Sequence, residues 1–241
     1  MSPTLLIARR ELASYLRSWN GYIIIAILLA VGGLLFNSAV LGGMEKRSSE
    51  VVAFFFFGAS GFVPIASVFF TMRLIAEERQ TGTVNLLYSS PITDRQIVVG
   101  KYLSALVFMF VFLLLTSYMP MLVLVNGKVS WGHLASGYLG LLLMGSACIA
   151  IGTFGSSLAK SQILAVVITT AILVAMLTCW YLAKVTDRPL NDLFSALALH
   201  GTHFPPFSQG IVHARDVVYY LGVTYVALFS ATRVLEARRW R

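Results

Sequence analysis

The sequence predicts an all-α polytopic membrane protein with six transmembrane helices, and three observations carry that reading. Of 241 residues, 58% are hydrophobic and only 12% are charged, and the mean hydropathy of +0.80 lies outside the usage of water-soluble domains. Marking every Asp, Glu, Lys and Arg leaves six long uncharged intervals: 18–44, 51–72, 102–127, 129–159, 161–183 and 217–232. A bilayer core of about 30 Å at about 1.5 Å per helical residue asks for roughly 20 residues per crossing, which the first five intervals supply. The sixth is shorter, but Arg215 and Arg233 at its ends can snorkel, and Tyr219, Tyr220 and Tyr225 suit an interface. No room remains for a sizeable soluble domain, so 1–241 reads as a single membrane domain.

Before the first span, Arg9, Arg10 and Arg17 precede an apolar run over 21–36 in the manner of a secretory signal. The run is too long for a signal core, lacks a small-x-small cleavage site and is followed by further spans, so it reads as a retained signal-anchor. Within 1–19, Leu5, Ala8, Leu12, Tyr15, Leu16 and Trp19 recur at helical spacing with Arg9, Arg17 and Ser18 off the stripe. That pattern predicts an amphipathic helix lying in the membrane interface, with a plain extension of the first span as the alternative.

Six crossings put both termini on one side. That side collects twelve of the 18 Lys and Arg, the other side six, and each side holds five of the ten acids. The formal charge of +8 therefore divides into +7 and +1, and the positive-inside rule makes the termini cytoplasmic. Charges scattered between apolar blocks, rather than gathered on one aromatic-rich face, argue against nucleic acid as a partner.

Two segments outside the spans have character. In the loop 73–100, residues 73–80 continue the second span's helix, and Thr81-Gly82 breaks it. A short amphipathic turn follows over 83–89, with Val84, Leu86, Leu87 and Tyr88 as its apolar contacts, and Pro91 stops it. Thr93 with Gln96 forms a capping box that starts the helix rising through Lys101. The expected product is a helical hairpin projecting from the membrane with an exposed apolar tip. On the other side, 184–216 stays apolar at Leu190, Leu193, Phe194, Leu197, Leu199, Phe204, Phe207, Ile211 and Val212, and is broken by Pro205-Pro206. Short interfacial or re-entrant helices fit it better than a free loop.

The missing chemistry narrows the function. None of the six intervals carries an ionisable carboxylate or cation at membrane depth, which weighs against an ion-coupled carrier. The pairs Gly100-Lys101 and Gly127-Lys128 lack the flanking residues of a phosphate-cradling loop, so the chain has no nucleotide site of that kind and reads as no enzyme by itself. Gly58-Ala59-Ser60-Gly61 spells the motif of intramembrane serine proteases, but His200, His203 and His213 fall in the external stretch and His133 at a span edge. The motif is therefore read as small residues that permit close helix packing. The same histidines have no carboxylates or cysteines at metal spacing, and Cys148 and Cys179 sit in uncharged runs, so no metal site or disulfide is expected. On the fourth span Gly137, Gly140, Gly145, Cys148, Gly152 and Gly155 share one arc and predict a close contact with another helix, taken as one of the same chain.

Ala76-Glu77-Glu78-Arg79, Gly82-Thr83, Leu86-Leu87, Ser90-Pro91-Ile92 and Gly100-Lys101-Tyr102 together resemble the hallmark segment of permease subunits of type-2 ABC exporters, nearest to the gliding-motility GldF-like permeases. Near the C-terminus, 207–219 and 232–240 are similar to the closing motif of those permeases. Asn85 departs from the pattern, which often has Glu there. The resemblance implies a bacterial inner membrane as the location, and a single permease domain that works with a second copy of itself or a paralogous permease, an ABC ATPase subunit, membrane lipid and, in some systems, an accessory envelope subunit. It implies no cofactor in this chain, with ATP and magnesium bound by the ATPase. Glu77, Glu78, Gly82, Thr83, Leu86, Leu87 and Pro91 would couple to the ATPase. Phe207, Gly210, Arg215 and Asp216 would close an external gate, with Gly140, Gly145, Gly152 and Gly155 as packing positions. The implied function is ATP-driven export, or alternatively passage of motion to an envelope machine without a translocated substrate.

Overall fold

The computed structural model describes residues 2–17, 19–41, 48–83, 92–127 and 129–239. They form the helices α1 (Pro3–Arg17), α2 (Trp19–Leu41), α3 (Ser48–Thr71), α4 (Ala76–Gln80), α5 (Asp94–Thr116), α6 (Tyr118–Asn126), α7 (Trp131–Leu158), α8 (Gln162–Val185), α9 (Leu190–Leu197), α10 (Pro205–Ser208) and α11 (Ala214–Arg239). Six stretches are long and apolar enough to cross a membrane, and they sit where the uncharged intervals lie. The protein is an all-α polytopic membrane protein. The short sixth interval is the middle of α11, whose 26 residues reach past both flanking arginines.

α7 is the central helix. Its most apolar window is 78% buried at a hydropathy of 1.9, whereas α8 is more apolar at 2.5 and only 17% buried. Within lipid, apolarity does not drive a helix inward, because the tails are as apolar as leucine; small residues that let backbones approach do. The glycines of α7 show this. A Cβ at Gly137 would run into Phe56, at Gly140 into Phe207, at Gly152 into Thr71 and at Gly155 into Thr169, while at Gly145 it would meet Met109 at 3.3 Å. All five neighbours belong to the same chain. Gly58 and Gly61, by contrast, have nothing among the described residues within 4 Å of an added Cβ, so the close packing expected of this motif is not made at these two positions within the chain. Gly58 lines an apolar recess between α2, α3 and α5.

Two expected continuous helices are interrupted. Residues 73–80 do not simply extend α3: the helix stops at Thr71, turns through 72–75 and restarts as α4. The cause is Ser156 on α7, whose hydroxyl accepts from the N–H groups of both Ile75 and Ala76 at 3.1 Å and so replaces the helical acceptors those donors would use. The third span is divided at Ser117 because Pro120 has no N–H to give the Thr116 carbonyl.

α1 is a helix in its own right. Ile7 and the Thr4 carbonyl press on Gly100, Glu11 meets Lys101 and Tyr15 stacks on Phe108 at 5.1 Å, so α1 runs beside α5 in the same direction. The Tyr15 hydroxyl donates to the Phe70 carbonyl, tying α1 to the end of α3 as well. Burial pushes that phenol well above its usual pKa, so it remains a donor. Leu5, Leu16 and Trp19, from the predicted stripe, are exposed at 54%, 45% and 82%, which leaves them to meet lipid.

The external segment folds back on the bundle. The Leu199 N–H donates to the Met176 carbonyl, nine residues below the end of α8, and Gly201 lies against the Trp180 ring. At about 1.5 Å per residue the chain returns roughly 14 Å toward membrane depth. Phe204 and Phe207 are then buried against α3 and α7.

Candidate functional site

One end of the bundle gathers α1, α4, the start of α5 and the last turns of α7 and α11, and here the charged residues converge. The capping box forms as expected, with the Gln96 N–H on Thr93 Oγ1 at 3.4 Å and the Thr93 N–H on Gln96 Oε1 at 3.1 Å. It fixes where α5 starts and therefore where Lys101 points. The Lys101 side chain is 1% exposed. Its ammonium donates to Glu11 Oε1 on α1 at 2.9 Å and to Glu78 Oε1 on α4 at 2.8 Å. A buried lysine needs such partners, because the desolvation of an unpaired ammonium far exceeds what packing returns. One cation thus holds three helices.

Glu77 and Glu78, adjacent in sequence, do different things. Glu77 turns outward and pairs with Arg73 one turn earlier, at 2.8 Å from Nε and 3.1 Å from Nη2. Glu78 turns inward to Lys101. Between them and α1 lies a polar cleft of about 220 Å³ that includes Arg10, Ser14, Thr81 and Thr83. Arg79 points the other way: its Nη1 donates to the carbonyls of Ser157 at 2.6 Å and Ala159 at 3.0 Å, closing the last turn of α7. Arg238 adds a bond from Nη2 to the Leu158 carbonyl at 2.9 Å. Two guanidinium groups on the orphan carbonyls and negative dipole end of one helix are a favourable pairing.

α4 ends through Thr81 and Gly82. The Thr81 N–H returns to the Glu77 carbonyl and that of Gly82 to Arg79, with Gly82 at φ +74°, a left-handed conformation that a glycine adopts without strain. Thr83 Oγ1 lies 3.3 Å from the Glu78 carbonyl. Leu86, Leu87 and Pro91, expected in the apolar tip, lie outside the described residues. Lys101 and Arg238 enter the sequence reading as members of family-like motifs, with no role given to either, and Glu11 and Ser156 are not named in it. Lys101 carries a signal in hindsight: a lone cation two turns past a capping box, entering an apolar run, has to find an anion.

The far end holds the other predicted residues. Phe207 packs on Gly140, and its carbonyl accepts from Ser136 Oγ at 3.2 Å. Gly210 has φ +88°, and a Cβ added there would meet His133 at 3.5 Å. Arg215 is exposed, with Nε 3.6 Å from Asp216 Oδ1. Asp216 is fully buried and meets His203 Nδ1 at 2.7 Å, and the His203 ring stacks on Tyr219 at 3.8 Å. His133 Nε2 donates to the Ser208 carbonyl at 2.7 Å.

The protease-like motif also changes aspect, because the fold brings His200 Nε2 to 2.6 Å from Ser60 Oγ. The histidine is within reach after all, contrary to the sequence expectation, since the external segment folds inward. Ser60 nonetheless has no exposed surface and also donates to the Phe57 carbonyl at 2.6 Å. A serine sealed on every side offers no path for a scissile bond, and burial lowers the pKa of His200 beside it. The pair fastens the external segment to α3. Among the described residues no group of three or more His, Cys, Asp or Glu is placed to hold a metal.

The model of a family described as ABC-2 family transporter protein matches residues 5–208, which covers α1 through α10 and ends before α11. No curated protein matches the chain.

Proposed function

The chain belongs to the ABC-2 transporter family as a membrane-spanning permease, and from that premise we propose that it couples ATP hydrolysis by a separate ATPase subunit to export of a substrate across a bacterial inner membrane. The end that holds both termini faces the cytoplasm in this reading, on the strength of the twelve-to-six count of basic residues. Two copies, or this chain and a paralogue, pair in the membrane. The segment 84–91 seats on the ATPase through Leu86 and Leu87, flanked by Gly82, Thr83 and Pro91.

The observation that carries the proposal is the sharing of Lys101 between Glu11 and Glu78. Residues 84–91 follow α4 after the turn at 81–83, and α4 is clamped to α1 and α5 by one ammonium and to α7 by Arg79 and Ser156. A push on the hairpin therefore reaches four helices as a rigid body. Phe207, Gly210, Arg215 and Asp216 would close the exit at the far end. An amphipathic or lipid-linked cargo is the substrate class that suits spans without internal charge. Within the family, the motifs in 76–102 favour the gliding-motility GldF-like permeases, a narrower placement that rests on those residues alone.

Co-expression with ABC ATPase subunits tests the coupling. Replacing Leu86 and Leu87 with Asp should abolish co-purification and ATPase stimulation while membrane insertion is retained; association that survives the change refutes the docking segment. Cysteine labelling at Ser89 and Ser130 should report the cytoplasmic and external sides, and the reverse pattern refutes the orientation. Loss of cargo flux in reconstituted vesicles separates export from mechanical transmission.

A further inference from the structure

Away from the hairpin, α5 and α11 part at the termini end and leave a groove of about 370 Å³. Arg95 and Val99 line it from α5, and Tyr225, Phe229, Arg233 and Glu236 from α11. On each wall the sequence makes the same step. Tyr225, Phe229 and Arg233 follow at four-residue intervals and stand one above another, spanning about 12 Å at about 1.5 Å per residue. Arg95 and Val99 are likewise one turn apart. Both walls therefore run from a guanidinium at the membrane surface to an apolar or aromatic side chain deeper in.

The ring stack is ordered, with Tyr225 and Phe229 centroids 6.3 Å apart and the Arg233 guanidinium 4.9 Å over the Phe229 ring. Arg233 spends one donor on Glu236 Oε2 at 2.9 Å, which leaves most of its fork available. Arg95 makes no hydrogen bond or ion pair among the described residues. Two arginines against one carboxylate leave the groove with a net +1.

We propose that this groove binds an anionic glycerophospholipid of the adjacent leaflet, its phosphate between Arg95 and Arg233 and the first part of its acyl chains along Val99, Tyr225 and Phe229. Charge complementarity selects the headgroup: the net positive rim favours a phosphodiester with net negative charge over a zwitterion, and Glu236 can accept from a headgroup hydroxyl. The apolar inner walls select a lipid over a free anion, which has nothing to place there. A partner helix, about 10 Å across, does not fit the volume.

Native mass spectrometry of the full chain in micelles, titrated with phosphatidylglycerol or phosphatidylcholine of identical chains, tests it. Phosphatidylglycerol should be retained preferentially, and each arginine lost should lower that retention about fivefold, so R95Q/R233Q approaches the phosphatidylcholine level. R9Q/R17Q, equally exposed and elsewhere on the same end, should leave it intact, and R95K/R233K should keep most of it. Equal retention of the two lipids, or an equal loss in R9Q/R17Q, overturns the site. Displacement of the lipid by millimolar glycerol 3-phosphate overturns the lipid in favour of a free phosphate.

Discussion

At the termini end Lys101 draws α1 and α4 onto α5 through two carboxylates, and Arg79 and Arg238 close the last turn of α7. At the far end three histidines do the fastening: His203 on Asp216, His200 on Ser60 and His133 on the Ser208 carbonyl. The first set is built of one ammonium, two guanidinium groups and two carboxylates, of which Glu78 has its pKa raised by burial, whereas the second turns on imidazoles, of which His200 has its pKa lowered by burial. The difference teaches that one bundle can be fastened at its two ends by different chemistry, ion pairs and helix-end guanidinium groups at one and imidazole hydrogen bonds at the other.

The largest effect should come from Lys101. Lys101→Met leaves Glu11 and Glu78 without their cation, and breaking a buried pair costs about 3–5 kcal/mol. Unfolding followed in detergent checks this, and adding Glu11→Gln and Glu78→Gln should recover most of the loss. A single-variant cost under about 1 kcal/mol would mean that the cluster is solvated and that the contrast between the ends is false. Asp216→Asn should be milder, about 1–3 kcal/mol, since His203 keeps its stack on Tyr219. Protease accessibility of 184–216 should rise in that variant while α4 and the start of α5 stay protected.

Acidification should act on the far end without mutation. Burial lowers the His200 pKa below its ordinary 6.5, so the unfolded chain binds the extra proton more readily than the folded one. The contribution is fully present above about 6.5 and is lost as pH falls from there toward the depressed value. Hydrogen exchange at Leu199 and Gly201 should speed up over that window in the wild type and not in His200→Gln. An equal speed-up in His200→Gln would show that this histidine is not the local cause.

Smaller effects probe the packing that joins the ends. Gly152→Ala puts a methyl into Thr71 and should cost about 1–3 kcal/mol. Gly145→Ala meets Met109 and Val63 at 3.3 and 3.4 Å and should cost under about 1 kcal/mol, because methionine adapts. Arg73→Gln removes a half-exposed pair with Glu77 and should change stability by only about 0.3–0.5 kcal/mol.

Much of the fold was legible because a bilayer imposes a one-dimensional rule. Spans, the capping box at Thr93 and the small-residue face of α7 each follow from a local pattern. The breaks at 72–75 and at Ser117 were less so, although Pro120 was in view. The stop after Thr71 depends on Ser156, more than eighty residues away, and no window of sequence around α4 contains that hydroxyl. The site was legible in part for the same reason: Glu77 and Glu78 lie in a recognisable segment, but that they face opposite ways depends on where α5 and α1 stand.

By itself the sequence determined the six crossings, the distribution of charge between the two sides and the lack of a phosphate-cradling loop, because hydropathy, charge count and motif spacing are properties of the chain alone. Only the tertiary structure decided which helix sits at the centre, which glutamate meets Lys101 and that His200 reaches Ser60. Those outcomes turn on close approach between distant segments, where a missing Cβ or a single hydroxyl settles a contact that composition does not record.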